Sequence, residues 1–204
     1  MGEKILLLRT CDADMRAFGG FEWPREGHIA APDWSPVAEC GRGLHGLVHG
    51  VGDASLLTYA ETPGANWLVV AADADKLVEL RGKAKFPEGE VVYCGDRDGA
   101  LAYLDAHGCA DKPVVYATRT AGDGGTATAG YRGTATAGDR GTATAGDGGT
   151  ATAGYRGVLA VTRYDSRRGI YVPSIAVVGD DGIEANVAYR LDENGIFVRA
   201  EGGE

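Results

Sequence analysis

The sequence lacks long apolar runs, paired cysteines and a recognisable export signal. No segment reaches the roughly 18 consecutive apolar residues of a membrane-spanning helix, so we expect no membrane partner. The first residues, MGEKILLLRT, lack a small-residue cleavage site and are typical of a first β-strand. No CxxC pair occurs among the cysteines, which are Cys11, Cys40, Cys94 and Cys109. Together these absences predict a cytoplasmic protein with reduced thiols.

Catalytic motifs and basic surfaces are also missing. The chain contains no GxSxG, Walker, HExxH or paired-carboxylate motif. Its net charge is −9, and no stripe of basic residues could follow a phosphate backbone. The sequence therefore favours a non-enzymatic protein that binds neither a cofactor nor nucleic acid.

What the sequence does contain is a repeat at residues 117–156. An eight-residue unit occurs five times there, as ATRTAGDG, GTATAGYR, GTATAGDR, GTATAGDG and GTATAGYR. Thr and Ala alternate in each unit, and a period of two indicates a strand. The glycines disfavour a helix, because each costs about 1 kcal/mol in a helix interior. A short fixed period with built-in turns predicts a β-solenoid.

The alternation places Ala on one face of each strand and Thr on the other. Because a buried hydroxyl needs a partner and a methyl group does not, we expect Ala inside and Thr outside. Two units per coil are favoured over three, because methyl side chains suit a thin section. The glycines at the strand exits are expected to take a positive φ, namely Gly130, Gly138, Gly146 and Gly154. The expected surface array comprises Thr126, Thr128, Thr134, Thr136, Thr142, Thr144, Thr150 and Thr152.

The whole chain is predicted to be mainly β. Residues 1–116 are expected to form an α+β domain of strands with one helix, which begins at an N-cap at Asp98 and stops at Gly108. Residues 117–156 are the octapeptide-repeat β-solenoid. Residues 157–204 contain β-runs separated by turns. They are expected to form a β-meander cap over the unpaired strand edges of the solenoid.

Several segments form a recognisable combination, namely RTCDADM, FGGFEWP, APDW, CGRGLHG, KAKFPEGEVVYCGDR, the GTATAG units and IEANVAYRLDENGIFV. This combination resembles an uncharacterised family of bacteriophage and prophage proteins. The resemblance implies an N-terminal domain of unknown function, polar repeats and a small β-rich end, located in the host cytoplasm or the virion. The repeats also resemble the head repeats of trimeric adhesins, phage tail-fibre proteins and the coils of bacterial ice-nucleation proteins.

A metal site is one candidate function of the N-terminal segment. Cys40, His45 and His49 follow the spacing C-x4-H-x3-H, and Cys11 could serve as a fourth ligand. Zinc takes thiolate and imidazole ligands in a tetrahedral set. The alternative is a structural turn with scattered histidines, which the surrounding glycines favour.

A nucleotide site is a second candidate. The segment CGRGLHG resembles the glycine-flanked second strand of ADP-ribosyltransferase-like folds. This resemblance implies that Arg9 and His45 bind NAD and that Glu61 or Glu90 polarises the ribose. The alternative is a structural ion pair at Arg9 and a turn histidine. The predicted ligand-binding residues are Arg9, Trp23, Trp34, Cys40 and His45.

The leading functional hypothesis is a phage-type structural or binding protein. A rigid solenoid would present or space an N-terminal recognition domain, and flat Thr-rich sheets would support homo-oligomerisation. A protein partner or a small nucleotide ligand is expected. One alternative is an ADP-ribosyltransferase-like or nucleotide-binding enzyme in residues 1–116. The other is ice binding through the outward threonine rows, since regular hydroxyl and methyl arrays on flat solenoid sheets order water.

Overall fold

The structure is a computed structural model that describes residues 2–200. The chain forms two compact units, Met1–Lys112 and Pro113–Glu204. The fold is mainly β, as predicted, whereas the finer division into three segments stays a prediction. Within residues 2–200, no helix combines the length and the apolar character needed to cross a membrane.

The first unit is built on a seven-stranded antiparallel sheet. Its strands are β1 (Lys4–Cys11), β2 (Gly27–Ala30), β3 (Leu44–Val48), β4 (Asn66–Asp73), β5 (Val78–Leu80), β6 (Lys83–Phe86) and β7 (Glu88–Gly95). Their order across the sheet is β2-β7-β4-β1-β3-β6-β5. β1 and β4 pair along their whole length, from Lys4 opposite Asp73 to Cys11 opposite Asn66. This long pair forms the middle of the sheet.

Both faces of this central pair are buried. Leu7, Leu68 and Val70 point to one side of the sheet. Leu8 and Val69 point to the other side, and all five side chains are inaccessible to solvent. A strand buried on both faces has a continuous apolar run rather than an alternating one. This burial explains why these two strands show no period of two in the sequence.

One α-helix, α1 (Arg97–Leu104), follows β7. The Asp96 carboxylate caps it by accepting a hydrogen bond from the Gly99 N–H at 2.8 Å. The predicted cap at Asp98 is therefore wrong, because Asp98 already lies in the first helical turn. A wider turn, Asp105–Cys109, follows, and Gly108 has a φ of 90° there, which confirms the predicted stop. Single-turn 3-10 helices occur at Phe18–Gly20, Ala54–Leu56 and Ala74–Lys76.

The second unit contains the repeat, which forms a two-sheet β-solenoid. Its strands are β8 (Thr118–Ala121), β9 (Thr126–Thr128), β10 (Thr134–Ala137), β11 (Thr142–Ala145) and β12 (Thr150–Ala153). β8, β10 and β12 pair in parallel in one sheet, and β9 and β11 pair in parallel in the other. Thr134 lies opposite both Thr118 and Thr150, sixteen residues away on either side. Each coil therefore has two repeat units, as predicted.

The interior of the solenoid contains mainly methyl groups. Ala135, Ala143 and Ala151 are fully buried, while Thr occupies the outer positions of these strands. The predicted orientation, with Ala inside and Thr outside, is confirmed. The first coil differs, because Arg119 lies opposite Ala135 and is itself buried.

The glycines at the strand exits are needed for close approach of the coils, not for their φ. The positive-φ residues do not include Gly130, Gly138, Gly146 or Gly154, so that prediction is wrong. A Cβ on Gly146 would lie 2.6 Å from the carbonyl carbon of Gly130 in the preceding coil. A Cβ on Gly154 would lie 2.6 Å from the backbone nitrogen of Asp139. No side chain fits between two coils at these points.

The positive φ occurs two residues later in each turn. Values between 49° and 67° are found at Gly124, Arg132, Arg140, Gly148 and Arg156. In this conformation the Arg140 N–H donates a hydrogen bond to the Tyr155 carbonyl of the next coil at 2.8 Å. The turn thus uses a conformation that favours glycine even where the sequence has arginine.

Aspartate side chains connect successive turns along one edge of the solenoid. The Asp123 carboxylate accepts a hydrogen bond from the Asp139 N–H at 2.9 Å. Asp139 in turn accepts one from the Tyr155 N–H at 2.8 Å. Each bond joins residues sixteen positions apart, so backbone donors of one coil are satisfied by the coil before it.

Two antiparallel hairpins follow the last repeat strand. β13 (Val158–Asp165) extends the second sheet beside β11 and pairs with β14 (Ile170–Val177). β15 (Tyr189–Leu191) pairs with β12 in the first sheet and with β16 (Phe197–Arg199). Leu159 and Val161 replace alanine as the inward side chains of β13. Larger apolar residues thus fill the interior at this end of the stack.

We expect Gly138→Ala to destabilise the solenoid more than Asp139→Ala does. The added Cβ would lie 2.7 Å from the Asp123 backbone nitrogen, and overpacking of this kind costs about 3 kcal/mol. Loss of the Asp139 carboxylate removes one exposed hydrogen bond, worth about 1 kcal/mol. Chemical denaturation followed by circular dichroism measures both. Equal free energies of unfolding for the two variants would contradict the close-approach explanation.

We expect Arg140→Gly to stabilise the protein. A left-handed conformation costs an L-residue about 1–2 kcal/mol, and glycine avoids this cost. Because glycine also loses more backbone entropy on folding, we expect a net increase in the free energy of unfolding of about 0.5–1 kcal/mol. Arg140→Ala is the matched control, because it removes the same side chain but keeps the strained Cβ. A thermal melt in which both variants shift equally would show that the φ of residue 140 is not the cause.

Candidate functional site

The first threonine face lies on the sheet of β8, β10 and β12. Its outward side chains form two columns, with Thr118, Thr134 and Thr150 in one and Thr120, Thr136 and Thr152 in the other. Neighbouring strands of a sheet lie about 4.8 Å apart, and successive outward residues of one strand about 6.6 Å apart. The face is therefore a regular grid of three rows with two threonines in each.

The second threonine face lies on the sheet of β9 and β11. Its columns are Thr126 with Thr142 and Thr128 with Thr144. The next strand, β13, has Val158 and Ala160 at the corresponding positions. Beyond it, β14 has Val177 and Ile175 opposite these two residues. This face therefore changes from hydroxyl-bearing to apolar after two rows.

The eight threonines expected on the surface all lie on these two faces. Sequence analysis missed Thr118 and Thr120, which complete the third row of the first face. Their unit, ATRTAGDG, departs from the consensus because Arg119 replaces an alanine. The signal that identifies them is the retained Thr-x-Thr spacing.

The side chains of the first threonine face are held in place by their surroundings. Thr is branched at Cβ and has few χ1 rotamers on a strand, and the parallel ladder fixes the backbone beneath it. Both β10 and β12 have the sequence TATA, so no charged side chain interrupts these rows. The face presents a neutral grid of methyl and hydroxyl groups, which is suited to ordering a layer of water.

The residues predicted to bind a ligand meet in the first unit. Four of them line one cavity of about 510 Å³, namely Arg9, Trp23, Cys40 and His45. The fifth residue, Trp34, packs against the lining residue Gly43, since a Cβ on Gly43 would be 2.9 Å from the Trp34 ring. The described residues that line the cavity include neither Glu61 nor Glu90. A ligand-binding role for these residues stays a prediction.

Arg9 is the most enclosed cation of this cavity. Its guanidinium carbon lies 3.9 Å from the centre of the Trp23 ring, and its Nη1 donates to the His45 carbonyl at 3.1 Å. Burial lowers the pKa of Arg9 to about 10, so the side chain stays protonated at neutral pH. Burial, and after it the charge of Lys83, lowers the pKa of His45. That imidazole is therefore neutral at neutral pH.

The predicted metal ligands are dispersed. Among residues 2–200, no three His, Cys, Asp or Glu side chains are grouped so that they could hold a metal ion. His45 faces the cavity, whereas His49 follows the end of β3 with a φ of 55°. The Nδ1 atom of His49 lies 3.6 Å from the Cys109 sulfur. Cys11 is buried in the core and Cys40 is exposed. His45 lies in the extended strand β3 and His49 directly follows its end, so about 13 Å of extended backbone separates residues that the spacing had grouped.

Part of the first unit matches a known domain family. Residues 5–102 match a family described as a domain of unknown function, DUF7666. The residues that line the cavity all lie within this range. No solved structure matches the chain.

The chain is also similar to bacterial ice nucleation proteins. It is 37% identical over 108 residues to ice nucleation protein InaU of Pantoea ananas, a match that covers 52% of this chain and 10% of that protein. Ice nucleation proteins of Xanthomonas campestris pv. translucens and Pseudomonas fluorescens are 37% identical over 108 residues and 35% identical over 104 residues. These matches cover 52% and 50% of this chain, and 7% and 8% of the two relatives. The chain therefore spans a tenth or less of the length of these curated relatives.

These comparisons correct two expectations. The expectation of a cytoplasmic protein is wrong, and the finding that overturns it is the similarity to ice nucleation proteins. The absence of a cleavage site in MGEKILLLRT is not sufficient evidence for a cytoplasmic location. The phage origin implied by the resemblance has no support among the comparisons. What they establish is a match to a domain of unknown function at residues 5–102 and a similarity to ice nucleation proteins over about half of the chain.

Proposed function

We propose that the repeat of this protein binds ice by ordering water on its first threonine face. The observation that carries this proposal is the pair of threonine columns on β8, β10 and β12, in register over three rows. Water bound to such a grid is restrained at regular intervals in two directions. A surface that already holds water in a regular array lowers the cost of joining that water to ice.

The chemistry of the first threonine face supports this role. Each row presents methyl groups, which do not hold water in fixed orientations, beside hydroxyl groups, which donate and accept hydrogen bonds. Charged groups hydrate strongly and would disturb an ice-like layer, and in these rows the charges lie in the turns, at residues such as Asp139 and Arg140. The similarity to ice nucleation proteins extends over 108 residues, which is more than the repeat itself contains.

The small size of the face limits the strength of the effect. Three rows span only about 10 Å along the stack at the usual strand spacing of about 4.8 Å. The relatives are at least ten times longer than the aligned segment. We therefore propose ice binding by this chain, with weak nucleation. Association of copies would enlarge the face, so homo-oligomerisation remains part of the proposal.

The first test places a charge in the middle row of the first threonine face. We expect Thr136→Lys to reduce incorporation of the protein into a growing ice crystal to the level of a non-binding protein, because the ammonium group hydrates strongly and interrupts the central row. Thr144→Lys is the matched control on the second threonine face, where the grid has only two rows, and should retain incorporation.

Circular dichroism melts keep this comparison interpretable, since both side chains point outward and neither substitution should alter the fold. Two outcomes contradict the proposal. One is an unmodified protein that is excluded from ice, and the other is a Thr136→Lys variant that enters ice as readily as the unmodified protein.

A second prediction follows from the sixteen-residue coil. Duplication of residues 134–149 adds one row to each face while keeping every inward alanine in register. We expect the longer protein to show greater thermal hysteresis at equal molar concentration. Duplication of residues 134–149 with both added threonines of the first face changed to lysine is the control of equal length, and an equal gain in this control would exclude the threonine grid as the cause.

A further inference from the structure

Ice binding leaves the cavity of the first unit without a role. The cavity is lined by the face of β1 that carries Arg9, by His45 of β3, by Lys83 of β6 and by the chain segments around residues 17–23, 31–43 and 55–59. Its volume of about 510 Å³ falls within the range of about 300–1,000 Å³ that is usual for small-molecule sites. It is therefore large enough to enclose a small molecule.

Three buried polar atoms of the lining side chains have no hydrogen-bond partner. They are Arg9 Nε, Trp23 Nε1 and His45 Nε2, and the only other such atom among residues 2–200 is in Arg163 of the second unit. Trp23 is 2% exposed, so its N–H has no access to bulk solvent. Leaving a buried polar atom without a hydrogen-bond partner is destabilising, and native proteins contain few such atoms. Arg9 Nε and Trp23 Nε1 are donors, whereas Nε2 of the neutral His45 ring is an acceptor, because the ring's backbone hydrogen bond is made to Gly43. Their concentration around one cavity indicates a bound group that supplies acceptors to Arg9 and Trp23 and a hydroxyl donor to His45.

The charge of the lining indicates an anion. Arg9 and Lys83 are basic, whereas Asp33 is the one carboxylate among the described lining residues. Both cations act on His45, because their charges contribute to the lowered pKa of its imidazole. All three side chains line the same cavity. This positive lining occurs in a chain with a net charge of −9, where a cationic cavity concentrates anions against the overall field.

The remaining lining residues suit a flat ring and hydroxyl groups. Phe18 lines the cavity yet is 88% exposed, so its ring is available for stacking. Tyr59, Ser55 and Thr58 also line the cavity and provide hydroxyl groups. A ligand with an anionic end and an aromatic end would contact both the basic and the aromatic side chains of the lining.

We propose that this cavity binds a nucleoside monophosphate, with the phosphate held by Arg9 and Lys83 and the base placed against the aromatic lining. A guanidinium and an ammonium group together provide charge-assisted hydrogen bonds to phosphate oxygens. The Trp23 N–H and the neutral His45 imidazole gain partners in the same complex. The site is independent of the threonine faces, so it can be tested without reference to ice.

The test uses the full chain and isothermal titration calorimetry with three probes, which are adenosine monophosphate, adenosine and inorganic phosphate. Adenosine monophosphate is expected to bind at least about tenfold more tightly than either fragment, because only it reaches both walls. Lys83→Gln should weaken this binding about tenfold or more through loss of a charge-assisted hydrogen bond. Lys76→Gln, at a surface lysine paired with Asp73 and Glu88, is the matched control and should leave it unchanged.

Arg9→Gln is a second variant of the same site and should also weaken binding of adenosine monophosphate. Because Arg9 packs on Trp23, a thermal melt verifies that this variant folds. Three outcomes overturn the proposal. The first is that adenosine or inorganic phosphate binds as tightly as adenosine monophosphate. The second is that adenosine monophosphate releases no heat at millimolar concentration. The third is that Lys83→Gln and Lys76→Gln weaken binding equally.

Discussion

The solenoid depends on how closely two coils approach at the strand exits. A methyl-filled interior leaves little space between the two sheets, so the chain must turn sharply where each strand ends. At Gly146 that turn passes directly over Gly130 of the preceding coil. Any side chain there would separate the coils and break the parallel ladder. Glycine at each strand exit therefore permits the close ladder that spaces the threonine rows.

This constraint also separates the chemistry of the solenoid into regions. Apart from the inward-facing Arg119 of β8, the charged residues of the repeat lie in the turns. There Asp139 satisfies a backbone donor of the next coil, and Arg140 adopts a left-handed conformation. The sheet faces remain neutral and flat. The first unit has the opposite character, with a concave cavity that is lined by Arg9 and Lys83. One chain thus carries two surfaces that suit very different ligands.

The sequence predicted those features that depend on local periodicity. The period of the repeat, the sixteen-residue coil and the inward alanines all follow from alternation and from the cost of burying a hydroxyl. The sequence analysis assigned the positive φ of each turn to the wrong residue. Glycine can be required either for a positive φ or for close approach of two backbones, and the sequence alone does not distinguish these two reasons. In the cavity, the sequence indicated Arg9 and His45 but not Lys83 or Tyr59. Their proximity depends on the pairing of β3 with β6 and on long-range loop packing, which no local pattern records.

The two-sheet arrangement has a consequence for how such a gene can change in length. Each coil takes one unit for each sheet, and β13 pairs with the strand two units before it. Whether the number of preceding units is odd or even therefore decides which sheet β13 extends. Gain or loss of a single unit by unequal recombination would deliver Leu159 and the rest of the final hairpins to the opposite sheet. Changes in pairs preserve every junction. Repeat number can therefore change in pairs without altering which sheet the final hairpins extend.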